Sequence, residues 1–235
     1  MNKYIQNALS ALSELVFYSE VKCILCKKET EGELLCRSCV QELPVHSVGL
    51  CSVCGRECGG GVCFLCARDT RPYNAGAVIF KYTGMVRDIM LNLKLHGERI
   101  NAKVFAAFMA QRFHENAWPL PDSVTAVPSH PIRVLNRGYN APGLIAREFA
   151  SLIEAPYVNN MIVRSRFAPP MATQKNADRM EIVLHNYAPG SYDVHAKTVL
   201  IVDDVTTTGS TLHICSALLK KMGAKEVYVM AAAGD

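Results

Sequence analysis

"VLIVDDVTTTGSTL", residues 199–212, is the stretch on which the fold turns. Val199 to Val202 form a short apolar run of the kind found in strands buried on both faces. Asp203 and Asp204 leave the end of that strand, and Thr206 to Thr211 turn around Gly209 into the next helix. The start of a helix offers unpaired backbone N–H groups and about half a positive charge, which suits an anion. Gly209 lets the backbone approach closely. Thr207, Thr208, Ser210 and Thr211 add hydroxyl donors.

Adjacent carboxylates hold a phosphate poorly, but they accept hydrogen bonds from neighbouring hydroxyls. A molecule with vicinal hydroxyls a few ångströms from a phosphate is a ribose 5-phosphate, and this is the ligand class the stretch predicts. The loop lacks the GxxxxGK[ST] of a nucleoside triphosphate site and the GxGxxG of a dinucleotide site.

Outward from this stretch the pattern is α/β. Residues 76–82, 123–128, 197–202 and 225–233 read as strands, and 156–163 as containing one. Helical periodicity runs through 85–95, 101–117, 141–153 and 210–223, the last ended by Gly223. Strands alternating with helices predict a parallel sheet covered on both faces. Ligands in such sheets sit beyond the carboxyl ends of the strands, where Asp203 and Asp204 fall.

The other informative region is cysteine-rich. Eight of the ten cysteines form four CxxC pairs: Cys23/Cys26, Cys36/Cys39, Cys51/Cys54 and Cys63/Cys66. Each CxxC turn aims two sulfurs at one point, and two turns close a tetrahedron about 2.3 Å from a zinc ion. The four pairs therefore predict two structural zinc sites, with no position left for a catalytic water. Pairing in sequence order is simplest, and a cross-braced arrangement also fits the spacing. Cys58 reads as a spare thiol and Cys215 as a core one. A boundary near "ARDTRPYNAG" divides a zinc-ribbon module with an N-terminal amphipathic helix, residues 1–68, from an α/β domain, residues 69–235.

Charge separates the two parts. The net charge of +4 belongs entirely to residues 69–235, because residues 1–68 are formally neutral before eight thiolates and two divalent ions make them negative. The α/β part is thus the better host for an anion. Arg87, Lys94, Arg99, Lys103 and Arg112 form a basic run that fits a phosphate backbone and a solvated helix face equally well, with Tyr73, Phe80, Tyr82 and Tyr139 read either as base-stacking residues or as core. No apolar run approaches the roughly 20 residues needed to span a bilayer, and no export signal opens the chain, so a cytoplasmic protein without stable membrane insertion is expected.

These motifs together match a known pattern. The stretch 199–212 resembles the phosphoribosyl pyrophosphate (PRPP) motif of the type I phosphoribosyltransferases. The whole chain resembles the ComF family of competence-associated proteins: the paired CxxC motifs, "FKYTGMVRDIMLNLKLHGE", "VPSHPIRVLNRGYN" and "VLIVDDVTTTGSTL" come in that family's order. The resemblance implies a type I phosphoribosyltransferase fold preceded by a double zinc ribbon. It makes Asp203 and Asp204 the acidic pair for the ribose hydroxyls, the candidate catalytic residues, and Thr207, Thr208, Gly209, Ser210 and Thr211 the 5′-phosphate loop. Ser129 falls in the loop facing pyrophosphate, with Arg133, Arg137 and Lys94 as charge partners and Mg²⁺ accompanying PRPP. Arg164, Arg166, Lys175 and Arg179 fall in a hood over the site.

Two functions follow from the resemblance. One is a PRPP-binding factor that handles incoming single-stranded DNA during natural transformation, in the cytoplasm or at the inner face of the membrane, with other DNA-uptake proteins as partners. The alternative is an active phosphoribosyltransferase using an unidentified nitrogenous acceptor. Ala141 stands where the family's RGFNQ element carries glutamine, and Thr207 where purine enzymes carry an acidic residue, so base recognition is not implied.

Overall fold

The computed structural model describes residues 21–164 and 186–234. The N-terminal helix expected before residue 21 and the hood residues Arg166, Lys175 and Arg179 lie outside them. Four parallel strands form the central sheet: β3 (Ala75–Lys81), β4 (Ser123–Ala126), β7 (Thr198–Thr206) and β8 (Glu226–Gly234), in the spatial order β3-β8-β7-β4.

The apolar runs of β7 and β8 are continuous because both faces of the sheet are covered. Leu200, Val202, Met230 and Ala232 pack on one side against α4 (Asn101–Glu115) and α6 (Ala141–Leu152). Val199, Ile201, Val227 and Val229 pack on the other against α7 (Ser210–Lys221). This alternation is the two-residue period of a strand. α3 (Gly84–Leu95) follows β3 and leads into α4. A short antiparallel ribbon, β5 (Ile162–Arg164) with β6 (Tyr187–Pro189), lies outside the central sheet.

Two features differ from the sequence reading. β7 does not stop at Val202: it continues to Thr206, because β8 runs beside it with Asp203 opposite Ala231 and Thr206 opposite Gly234. Residues 131–137, given no element in the sequence reading, form the helix α5 (Pro131–Arg137), started by Pro131 and ended by Gly138 with φ 81°. None of its residues is buried, so it carries no apolar face for periodicity to detect.

The cysteine-rich region packs directly on the sheet. It contributes a small hairpin, β1 (Val21–Lys22) with β2 (Glu29–Thr30), and two short helices, α1 (Arg37–Glu42) and α2 (Phe64–Arg68). Leu34, Leu35, Val40 and Leu43 share one apolar cluster with Phe80, Phe105 and Phe108. Phe80 stacks edge-on against Phe108 at 4.9 Å between ring centres. Residues 44–46 run antiparallel to the outer edge of β3: Lys81 N–H donates to the Pro44 carbonyl at 2.9 Å and His46 N–H to the Ile79 carbonyl at 2.8 Å. The sheet edge is thereby covered rather than left open to another chain. No helix among the described residues is long and apolar enough to cross a membrane.

Candidate functional site

At the carboxyl end of β7 the two aspartates occupy consecutive strand positions and so face opposite sides of the sheet. Asp203 is buried, and Asp204 is half-buried. The Asp203 carboxylate accepts from the Asp204 N–H at 2.9 Å, and Asp204 Oδ1 accepts from the Val205 N–H at 2.6 Å. The other Asp204 oxygen lies 2.8 Å from Lys94 Nζ, which arrives from the last turn of α3. Burial pushes the Asp203 carboxyl up to about 8, and the neighbouring Asp204 charge pushes the same way. The Asp204 N–H and the more distant Lys94 only partly offset this.

The loop after β7 is open on its outer side. Thr207, Thr208 and Ser210 are exposed, with Gly209 and Thr211 half-buried between and beside them. Gly209 takes φ 75°, the left-handed conformation that starts α7 directly after the strand. Thr208 and Ser210 hydroxyls sit 2.6 Å apart, and the Ser210 N–H points at Thr208 Oγ1 at 3.3 Å. Hydroxyls and helix-end N–H groups thus converge on one small surface suited to an anion.

Facing it, Val127 N–H donates to the Val202 carbonyl at 2.9 Å, which carries β4's direction past its end. Ser129 Oγ donates to Asn140 Oδ1 at 2.5 Å, and Asn140 Nδ2 donates to the Val127 carbonyl at 3.0 Å. Asn140 therefore holds the 127–129 loop closed. Beside it the Tyr139 hydroxyl donates to the Leu93 carbonyl, one residue before Lys94. The Arg99 and Arg137 guanidinium groups lie 4.7 and 6.0 Å from the Tyr139 ring centre. Asn140 is a positioning residue that the sequence left unassigned, and Tyr139, read there as a base-stacking candidate, is a second one, although both lie in the "RGYN" stretch.

The expected residues do not all meet. Lys94 joins the acidic pair directly, whereas Arg133 is exposed on α5 and Arg137 turns to Tyr139. Arg164, the described member of the hood set, lies over the Tyr187 ring at 5.5 Å. The basic run from Arg87 to Arg112 does not form one face: Arg112 is buried, donates to the His46 carbonyl at 2.5 Å and pairs with Glu115 at 3.3 Å. Tyr73, Phe80 and Tyr139 are likewise buried, leaving Tyr82 half-exposed as the stacking candidate.

The cysteines fall into two groups in chain order, Cys23, Cys26, Cys36, Cys39 and Cys51, Cys54, Cys63, Cys66, with the sulfurs of each group within 4.8 Å of one another. Exposed Cys58 belongs to neither and points at the Gly60 carbonyl. The surroundings favour thiolates at selected positions. The Ser38 hydroxyl, 3.1 Å away, leads in drawing Cys36 down to about 6. Cys51 falls to about 6 against its burial, because the N–H groups of Cys63, Cys54 and Val53 point at its sulfur. Cys39 and Cys54 are pushed up by burial and by the sulfurs packed beside them. Thiolates crowded around one point in this way are relieved by a divalent cation at their centre, and the donor set fits zinc.

A phosphoribosyl transferase domain model matches residues 134–234. Competence protein F of Haemophilus influenzae is 25% identical over 217 residues, covering 83% of this chain and 94% of its own. DNA utilization protein YhgH of Salmonella typhi is 27% identical over 227 residues, with the same coverage of each. Competence protein ComFC of Streptococcus pneumoniae is 26% identical over 150 residues, 63% of each chain. The parallel sheet, the glycine-turned loop after β7 and the two four-cysteine groups define a phosphoribosyltransferase-fold protein with a double zinc ribbon. Over most of its length the chain is similar to these competence and DNA-utilization proteins, which supports its resemblance to the ComF family.

Proposed function

We propose that the chain binds PRPP with Mg²⁺ at the carboxyl end of β7 and serves in the handling of incoming single-stranded DNA during natural transformation. The observation that carries the first part is the Lys94–Asp204 pair at 2.8 Å beside the open Thr207–Thr211 loop. In this reading Asp204 accepts ribose hydroxyls, with Asp203 joining when it ionises, and the loop N–H and hydroxyl groups take the 5′-phosphate. Ser129 and Lys94 serve the pyrophosphate and its magnesium. The second part draws on relatives whose names denote competence and DNA utilization.

The phosphoribosyl transferase domain match supports a second reading, transfer of ribose 5-phosphate to a nitrogenous acceptor. The bond from C1′ to pyrophosphate would break as a C1′–N bond forms, and the acceptor would lose a proton. Basic side chains and Mg²⁺ would stabilise the departing charge.

The test is a calorimetric titration of PRPP with Mg²⁺ into the zinc-loaded protein, with and without a short single-stranded DNA. Saturable binding whose affinity shifts with DNA supports the first reading. Binding without any effect of DNA separates the nucleotide site from DNA handling, and no binding rejects the site.

A further inference from the structure

The side of the 206–211 loop turned away from its open surface is held by two arginines from the cysteine-rich region and the segment that follows it. Arg56 Nη2 donates to the Thr207 carbonyl, and Arg71 Nη2 donates to the Thr208 carbonyl at 3.4 Å. Both guanidinium groups sit in half-buried residues whose Nε atoms are shielded from solvent. Together with Cys54, Leu65 and Tyr73 they line a small cleft between the second cysteine group and residues Thr206, Thr208 and Gly209.

A trans peptide sets its N–H opposite its C=O. A carbonyl fixed by Arg56 at Thr207 therefore aims the Thr208 N–H to the far side, and a carbonyl fixed by Arg71 at Thr208 does the same for the Gly209 N–H. Neither N–H has a hydrogen-bond acceptor among the described residues. The donated bonds also polarise both peptides, which strengthens the N–H groups as anion donors.

The arginines are anchored in turn. The Arg71 guanidinium lies beside Cys66, a member of the second four-cysteine group, and its charge favours that thiolate. Arg56 follows the knuckle Cys51–Gly55, which lies flat on β3. Gly76 N–H donates to the Val53 carbonyl at 2.8 Å, and a Cβ on Gly55, whose φ is 70°, would meet the Gly76 carbonyl oxygen and Ala77 Cα at 2.5 Å. The knuckle, the two arginines and the loop thus form one connected unit.

We propose that Arg56 and Arg71 are positioning residues for the phosphate loop, so that the second four-cysteine group is a working part of the anion site rather than a separate module. This rests on the PRPP reading above and specifies how its loop is held. The residues act from behind the loop and are not expected to touch the ligand.

The experiment titrates PRPP with Mg²⁺ into the zinc-loaded full chain and into its Arg56→Ala, Arg71→Met and Arg56→Lys variants, with zinc content and thermal unfolding measured on each. The ¹⁵N–¹H signals of Thr208 and Gly209 are followed in parallel. Removing a residue that orients a metal ligand costs roughly 10- to 100-fold in affinity, and the same order is expected for one that orients phosphate donors. Arg56→Ala and Arg71→Met should each weaken PRPP by about tenfold or more, shift those two amide signals in the free protein and leave zinc content intact. Arg56→Lys, which can still donate to the Thr207 carbonyl, should recover part of the loss. Absence of binding by the unsubstituted protein would reject the PRPP reading itself, and the inference with it. Equal affinity in all variants would overturn the inference alone, as would weaker binding with unmoved amide signals, because that pattern is a bulk charge effect.

Discussion

Lys94 Nζ and Asp204 Oδ2 lie 2.8 Å apart, joining the last turn of α3 to the carboxyl end of β7. Both side chains are largely shielded, at 21% and 14% exposure, so the pair is only weakly screened by water. Lys94 brings positive charge to a place where two consecutive carboxylates would otherwise repel. Lys94→Met should therefore lower the unfolding free energy by about 1–3 kcal/mol. It should also weaken PRPP binding. Denaturant unfolding and calorimetry on the same preparation check both, and unchanged stability would show that the pair is too solvated to matter.

Asp203 gives the protein a pH dependence of definite sign. Its carboxyl is raised from an ordinary value of 3.8 to about 8, first by burial and then by Asp204. Between those values the folded state keeps a proton that the unfolded chain releases, so stability falls as pH rises through the window. Asp203→Asn removes the group that ionises. Thermal unfolding of zinc-loaded protein should show the variant gaining on the unsubstituted chain from about pH 4 to about pH 8 and holding level above that. Parallel pH profiles would mean that Asp203 is not the group responsible.

Much of this arrangement was legible in sequence where burial imposes a period. The runs of β7 and β8 and the helices α4, α6 and α7 stand out because they bury apolar side chains. The paired CxxC motifs foretold two cysteine groups because local turn geometry alone brings two sulfurs together. α5 was missed because it buries nothing, and the extension of β7 because aspartates are unusual inside a strand. Contacts between distant segments left no periodic trace. The meeting of Lys94 with Asp204, and of Arg56 and Arg71 with the loop carbonyls, is fixed by packing of whole elements. The Arg112 side chain shows the converse: a basic residue counted toward a surface patch is drawn inside by the His46 carbonyl.

The cysteine groups predict a stoichiometry. Elemental analysis should give about two zinc per chain, because each set of four sulfurs closes one tetrahedral site. Cys58→Ser should leave that value unchanged, since Cys58 is exposed and outside both groups. Cys63→Ser should lower it to about one. Chelation of the remaining metal should reduce thermal stability, because a structural zinc contributes binding energy to folding. Loss of zinc in the Cys58 variant would show that the ligand sets are wrong.

Arg112 and the exposed basic residues of α3 and α4 should separate in their effect on DNA. Arg112 is buried between its bond to the His46 carbonyl and its pair with Glu115, so it is not available to a phosphate backbone. Arg87 is exposed and Lys103 half-exposed. For single strands each phosphate contact adds about 0.7 to the slope of log affinity against log salt. Arg87→Ala with Lys103→Ala should flatten that slope for a short oligonucleotide by about one or more, without loss of stability. Arg112→Met should leave the slope alone and lower unfolding free energy by about 1–3 kcal/mol, because it strips a buried carbonyl of its donor. Fluorescence anisotropy across a salt series, paired with denaturant melts, distinguishes the two. An equal change in slope from Arg112→Met would require the interior face of α4 to open to DNA, which its packing against the 44–46 segment opposes.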